Sequence, residues 1–336
     1  MTTIRDVAQR LNISIATVSR ALDGYYDVAA DTRQLVIQTA QEMGYAPNRA
    51  ARQLRRQKAE TIGFIIPALS QRFDEPYFME FIAGMSDELS GKNFDLLIAN
   101  AATIEMENNL YQRWVNSRKV DGFILNRMNT SDWRAQYLAK ANMPFVSLGK
   151  SQDEIDYPCI RIDGSDAYIE LIKHLLERGF SRFAFIGGVS ELTIHIDRLQ
   201  WFQSSLTYHG LSCAPENILS TDMTITGGYQ AANLLLSQTL PPDALLCVND
   251  ETAFGALDAA RERGLKIGTE IAIVGFDGVK DSQRTIPPLT TLDIPISDIA
   301  RQLVHMILAI LQKQTLPQNE IIIKPNLVIR ASTGGE

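Results

Sequence analysis

The sequence predicts an α/β protein in which a small three-helix N-terminal domain precedes two doubly wound parallel-sheet lobes. Three observations carry that prediction. At 336 residues, 45% of them hydrophobic, the chain is long enough for two or three cores and too apolar for full disorder. Its first 45 residues show helical periodicity only. From Thr61 onward, short β-branched runs alternate with helical periods, as in Thr61–Ile66, 94–98, Gly122–Leu125, Phe145–Leu148, 183–186, 244–248 and 271–276. That is the rhythm of βαβ units and parallel sheets. More than seven such strands point to two lobes, with a ligand expected in the cleft at the carboxyl ends of the strands.

Three short helices open the chain. Thr3 with Asp6 three residues on forms a weak capping box, and Ile4, Val7, Ala8 and Leu11 share one face. Asn12-Ile13-Ser14 makes a turn before a second helix, Ile15–Leu22, which buries Val18 and Leu22. A third, over 31–43, buries Leu35, Val36 and Ala40 before Gly44 stops it. The predicted domains are 1–46, a linker at 47–60, and 61–336. Within the last, lobe 1 takes 61–162 and 293–320, and lobe 2 takes 163–292 and 321–336.

The charge is unevenly spread. Residues 1–58 hold nine Lys/Arg against five acids, a net +4, so the rest carries −11 of the chain's −7. Arg49, Arg52, Arg55, Arg56 and Lys58 make the linker basic. Three scattered cysteines (Cys159, Cys213, Cys247) fit neither a disulfide framework nor a metal spacing. The opening MTTIRDVAQRL lacks an apolar core of signal-peptide length, and a cytoplasmic protein is expected.

In Ser14-Ile15-Ala16-Thr17-Val18-Ser19-Arg20, small and hydroxylated residues occupy the first turns of the second helix. A helix-turn-helix pushes that end into the major groove. Ser14, Thr17 and Ser19 can bind phosphates, Arg20 can reach a guanine edge, and Ile15 and Ala16 can make only apolar contacts. The other reading is an ordinary three-helix subdomain with a polar face.

At these residues the chain resembles the LacI/GalR repressor family. IRDVAQRLNISIATVSRAL is similar to the family's opening DVAxxAGVSxATVSRxLN, and TRQLVIQTAQEMGYAPN to TRxxVxxAAxELGYxPN. Asn48-Arg49-Ala50-Ala51-Arg52-Gln53-Leu54 resembles the hinge NxxARxL. NDETAFGAL, IVGFDG, PPLTT and IRAST extend the likeness to the C-terminus. The resemblance implies a helix-turn-helix joined to a two-lobed domain of periplasmic-binding-protein type. It implies a transcriptional repressor that binds double-stranded operator DNA as a homodimer under the control of a small effector. A sugar or sugar derivative is the expected effector, with a nucleobase or sugar phosphate acting as corepressor the alternative. Thr3, Asn48, Ala51 and Leu54 join the expected DNA contacts. In the family the linker becomes a helix on DNA, and paired leucines, here Leu54, wedge open a minor-groove base step. Ala29 replaces a usual capping Ser and Asp23 a frequent Asn.

The resemblance also implies an effector set of Phe78, Arg198, Asn249 and Asp277. The arginine's fork suits hydroxyls or an anion, and Asn249 and Asp277 stand at strand carboxyl ends. Structural roles stay open for them: Asp277 and Asn249 as caps, Phe78 as core, with Tyr77 facing the protein. Trp201 is expected to pack, His195 and Asp197 to sit at the rim. Met223 stands where several family members have an aromatic lid, and Gly149 and Gly278 where many have an Asp, which predicts a less polar pocket.

A periplasmic sugar-binding protein would share the lobes but not the first 60 residues. An enzyme is disfavoured because G-x-S-x-G, HExxH and Walker A runs are lacking, and no cofactor or metal is expected. Glu336 closely follows the strand-like 327–330, so no leucine heptad joins dimers and a dimer is expected to be the limit.

Overall fold

A computed structural model describes residues 2–45, 58–68 and 75–335. The chain forms two compact units, Met1–Ala59 and Glu60–Glu336. Among the described residues no helix is long and apolar enough to cross a membrane.

The first unit holds α1 (Ile4–Leu11), α2 (Ile15–Leu22) and α3 (Ala30–Glu42). The Asp6 carboxylate accepts hydrogen bonds from Thr3 N at 2.8 Å and Thr3 Oγ1 at 2.9 Å, which satisfies the chain entering α1. Those bonds, the backbone one first, hold the Asp6 carboxyl below its ordinary pKa. Asn12, at φ 52°, ends the helix in the left-handed region that Asn tolerates. Val7, Ala8, Val18, Ala21, Val28 and Val36 form one small core. Leu35, expected inside, is 54% exposed, because Val36, Thr39 and Ala40 set the buried face of α3 at i, i+3, i+4 spacing.

Ala29 is the N-cap of α3 and offers no side-chain acceptor to the helix amides. Ala29→Ser should therefore stabilise this unit by about 1 kcal/mol. Hydrogen exchange of the first-turn amides of α3 should slow roughly fivefold. An unchanged rate would show that solvent caps the helix equally well.

The second unit alternates strands and helices: β1 (Thr61–Ile66), α4 (Pro76–Ser90), β2 (Asp95–Asn100), α5 (Ile104–Asn116), β3 (Gly122–Leu125), α6 (Trp133–Lys140), β4 (Phe145–Leu148) and β5 (Cys159–Ile162). There follow α7 (Ser165–Glu177), β6 (Phe183–Gly187), α8 (Thr193–Tyr208), β7 (Ile218–Ser220), α9 (Ile225–Leu236), β8 (Ala244–Cys247), α10 (Asp250–Glu262) and β9 (Ala272–Asp277). The chain ends with β10 (Thr290–Asp293), α11 (Ile296–Leu311), β11 (Glu320–Ile323) and β12 (Asn326–Val328).

Two six-stranded sheets result, ordered β11-β5-β4-β3-β1-β2 and β12-β10-β9-β8-β6-β7. Every pairing is parallel except β12 against β10. The chain passes between the sheets three times, after β5, β10 and β11, so the lobes are joined by three strands of backbone. Two expected boundaries move, the first by one residue, since Asp293, expected in lobe 1, ends β10 in the second sheet, paired with Asp277 and Asn326. Residues 321–323 were expected in lobe 2, but β11 pairs with β5 from Glu320↔Cys159 to Ile323↔Ile162 in the first sheet. Ile321 and Ile323 pack on the core there, and a four-residue edge strand carries too little periodicity to be seen in sequence. In the second lobe α9 and α10 approach backbone to backbone: a Cβ on Gly255 would strike Ile225 O, and one on Gly228 would strike Thr252 O.

Candidate DNA-reading helix and effector cleft

Ser14 is the N-cap of α2, accepting from Thr17 N at 3.0 Å and sharing a 2.8 Å hydrogen bond with Thr17 Oγ1. Thr3, Ser14, Ile15, Ala16 and Arg20 are exposed and Thr17 is half-buried, so this end of α2 offers a surface of small groups. Ile15 is 44% exposed, an unusual exposure for so apolar a side chain. Arg20 is held by Asp27 at 2.5 Å and lies over the Tyr25 ring, 5.4 Å from its centroid.

Ser19 departs from expectation. It is buried, facing the core from the same side as Val18, and its hydroxyl donates to Asp23 Oδ2 at 3.4 Å. Neighbours at 100° steps along a helix cannot all face outward. Asn48, Ala51 and Leu54 lie outside the described residues.

In the second unit, a cleft of about 650 Å³, including its open mouth, lies where strand ends from both sheets converge. Its floor is the Arg198–Asp277 pair, bonded at 2.8 Å, with both side chains less than a tenth exposed. α8 carries Arg198, whose guanidinium lies 3.5 Å from the Phe276 ring centroid and donates to Val248 O. Asp277 ends β9 at φ 108°, a region that L-residues rarely occupy and that recurs at ligand sites. Burial raises the Asp277 carboxyl above its ordinary value, and Arg198 opposes that rise. Both predicted residues line the cleft.

Phe78 does not line it. Its side chain is fully buried, 6.2 Å from Phe64 between ring centroids, with the Arg127 guanidinium 4.6 Å from its own. Phe78, Phe81 and Met85 share the inward face of α4 at i, i+3, i+7 spacing, which turns residue 77 toward the cleft. The Tyr77 hydroxyl accepts a 3.1 Å bond from Asn126 Nδ2, and burial raises its pKa. The roles expected of this aromatic pair are thus reversed.

Asn249 is also absent from the cleft wall. Its Oδ1 caps α10, accepting from Thr252 N at 3.0 Å and Thr252 Oγ1 at 2.5 Å, while Nδ2 donates to Met223 O at 3.2 Å. Its polar atoms are committed, and it steadies Met223, which does line the cleft. Trp201 both packs and lines: its ring stacks on Phe276 at 6.5 Å and also faces the cavity. Burial keeps His195 below its ordinary pKa, and its Nδ1 accepts from Gly188 N at 3.1 Å.

Asn126 and Arg127 are the residues that sequence reasoning missed. They follow β3 at its carboxyl end and line the cleft, Arg127 paired with Glu75 at 2.5 Å. The rule that singled out Asn249 and Asp277, polar residues directly after an apolar strand, also marks this pair.

Behind the floor, burial and the neighbouring Asp277 push the Asp250 carboxyl up from 3.8 to about 8. It accepts from Val279 N at 2.8 Å and Thr291 Oγ1 at 2.6 Å. Folded protein therefore keeps a proton that the unfolded chain releases near pH 4, so this contribution is complete in acid and declines as pH rises toward 8. In Asp250→Asn, the slope of unfolding free energy against pH between about 4 and 8 should lessen by up to about 1.4 kcal/mol per pH unit. Urea titrations at several pH values measure it, and parallel wild-type and variant profiles would contradict the assignment.

Comparison with known proteins agrees with this architecture. Residues 3–48 match the family described as bacterial regulatory proteins, lacI family, and residues 172–333 a periplasmic binding protein-like domain. The HTH-type transcriptional regulator AglR of Rhizobium meliloti is 33% identical over 98% of this chain and 94% of its own. The HTH-type transcriptional repressor CytR of Escherichia coli is 30% identical over 98% and 96%. The lac repressor dimer, solved bound to operator and the anti-inducer ONPF, is 26% identical with a TM-score of 0.83 over 99% of both chains. With relatives this similar along nearly their whole lengths, the chain belongs to the lacI family of bacterial regulatory proteins and is a DNA-binding regulator of transcription.

Proposed function

We propose that this regulator is a repressor that binds a two-fold symmetric operator as a homodimer and is controlled by a sugar or sugar derivative held in the cleft. The observation that carries the effector reading is the cleft floor. A paired guanidinium and carboxylate, an amide and a phenol stand beside an indole face, a set that matches vicinal hydroxyls around an apolar ring face. The lac repressor dimer on its operator, similar in sequence and fold, supports the DNA and assembly readings. Arg198, Asp277, Tyr77, Asn126 and Arg127 are the effector contacts of this proposal, and Ser14, Ile15, Ala16, Thr17 and Arg20 the operator contacts.

Arg20 must leave Asp27 to reach a base edge, so its contribution is the base contact less the lost ion pair. Arg20→Ala should weaken binding to the cognate operator by about 1–3 kcal/mol and relax preference at one base pair per half-site. Fluorescence anisotropy on cognate and random duplexes tests this. Equal losses on both duplexes would make Arg20 a phosphate contact and refute base reading by this residue. A ligand thermal-shift screen over sugars tests the effector reading, because a bound ligand raises apparent stability by mass action.

A further inference from the structure

The turn after α2 sets an acid against the cation at the DNA-reading end of the protein. Asp27 Oδ2 lies 2.5 Å from Arg20 Nη2, and among the described residues the Asp27 carboxylate is bonded by Arg20 alone. We propose that Asp27 is a second base-reading residue: released when Arg20 moves to its base, the carboxylate accepts a hydrogen bond from the exocyclic amino group of a cytosine or adenine on the neighbouring base pair. The proposal deepens the reading of α2 as the operator-binding helix and rests on it.

The placing of the acid is the first argument. Gly24, at φ 77°, turns the chain out of α2, and Tyr25 N then donates to Arg20 O at 3.0 Å. Arg33 reaches across the turn from α3, and its Nη2 donates to Tyr25 O at 2.6 Å and to Val28 O at 3.3 Å. Val28 is buried in the three-helix core. The backbone on both sides of Asp27 is thus tied down, while the carboxylate stays 36% exposed at the tip of Arg20. A groove that receives Arg20 therefore receives Asp27 beside it.

Charge is the second argument. Residues 1–58 carry a net +4, which suits a surface facing phosphates, and a carboxylate among those cations repels the duplex unless it gains a donor. When Arg20 leaves, Asp27 loses the cation that neutralises it. The major groove offers few replacements: guanine O6 and N7 and thymine O4 are acceptors, and only cytosine N4 and adenine N6 present hydrogens. An ionised carboxylate accepts and never donates. The pair therefore opens at little cost where an amino group stands beside the base that Arg20 reads, and at high cost elsewhere. Specificity then comes from the penalty on wrong sites as much as from the contact on the right one.

Selection from a randomised duplex library by the full chain supplies the operator. Anisotropy titrations on that duplex, on its single base-pair substitutions and on a random-sequence duplex then measure each preference. At one position per half-site, next to the one that Arg20→Ala relaxes, wild type should favour cytosine or adenine on one strand roughly fivefold or more over guanine and thymine. Which of the two the selection returns identifies the base. Asp27→Ala should cut that preference below about twofold, leave the preference at the Arg20 position in place, and bind the random duplex more tightly. Asp27→Asn keeps an acceptor oxygen at the same place and should retain a preference of about threefold, which a turn that had merely come apart would not. Three results overturn the proposal while leaving base reading by Arg20 in place: Asp27→Ala with every base preference intact, Asp27→Ala losing only the preference that Arg20→Ala loses, or Asp27→Asn losing as much as Asp27→Ala. Equal losses by Arg20→Ala on selected and random duplexes overturn base reading by Arg20 itself, and this proposal with it.

Discussion

Replacing Arg134 by methionine should destabilise the second unit by about 3–5 kcal/mol, the usual cost of leaving a buried charge without its partner. Arg134 is 1% exposed and bonds Asp132 through Nε at 2.9 Å and Nη2 at 2.6 Å, with Glu107 at 3.4 Å. Burial works to raise the Asp132 carboxyl, yet the Arg134 charge and hydrogen bonds hold it below its ordinary value. Methionine preserves much of the volume and removes every donor. Asp132, fully buried, would then have to protonate or draw in water. The same guanidinium donates to Asn126 O at 3.2 Å and Arg127 O at 2.9 Å, so the loop bearing two cleft residues loses its anchor as well. A drop in Tm of roughly 10 °C is expected for a unit of this size. Arg134→Lys, which keeps charge without the planar fork, should fall between wild type and Arg134→Met. A loss under about 1 kcal/mol in urea unfolding would mean that the two carboxylates are hydrated rather than dependent on Arg134.

That network was not legible in the sequence, and the reason is physical. Glu107, Arg134 and Asp132 lie on α5, α6 and the turn before α6, and nothing in their local patterns distinguishes them from surface charges. Strands and their order of appearance were legible because β-branched runs and parallel pairing leave a strong local signal. β5, β7, β10 and β11 did not leave one: they are no shorter than β3, β4 or β8, apart from β7 with three residues, but Arg161, Ser220, Thr290, Asp293 and Glu320 interrupt or bound their apolar runs. At the site, Arg198 and Asp277 could be placed from strand ends and family likeness. Phe78 and Tyr77 could not be sorted, since adjacent residues entering a helix differ only by a rotation of about 100° that sequence does not fix. Ser19, expected from its residue type, and Asn249, expected from its strand end and the family likeness, are both buried and bonded within the protein, which residue identity does not reveal.

Arg198→Ala should abolish the effector's influence on operator affinity while operator binding in its absence stays within a few-fold of wild type. The guanidinium lines the cleft, and removing a charged hydrogen-bonding group from a ligand site costs about 1.5–3 kcal/mol, so effector affinity should fall by about ten- to a hundredfold. Three bonds are lost together: to Asp277, to Val248 O, and the cation–π contact with Phe276. Asp277 and Met223 belong to the second lobe and Tyr77, Asn126 and Arg127 to the first, so a ligand touching both sides biases the angle between the lobes. Such a ligand can shift operator affinity only by its difference in affinity for the two arrangements, commonly ~1–3 kcal/mol, and DNA shifts effector affinity by the same factor. Operator titrations with and without saturating effector, on wild type and Arg198→Ala, measure that coupling. Because Asp277 is left buried without its partner, the variant's Tm should also fall, and titrations run well below that Tm separate lost recognition from lost folding. If Arg198→Ala retains the full wild-type response, the cleft is not the regulatory site; if effector binds wild type tightly and never changes operator affinity, the lobes do not transmit to DNA.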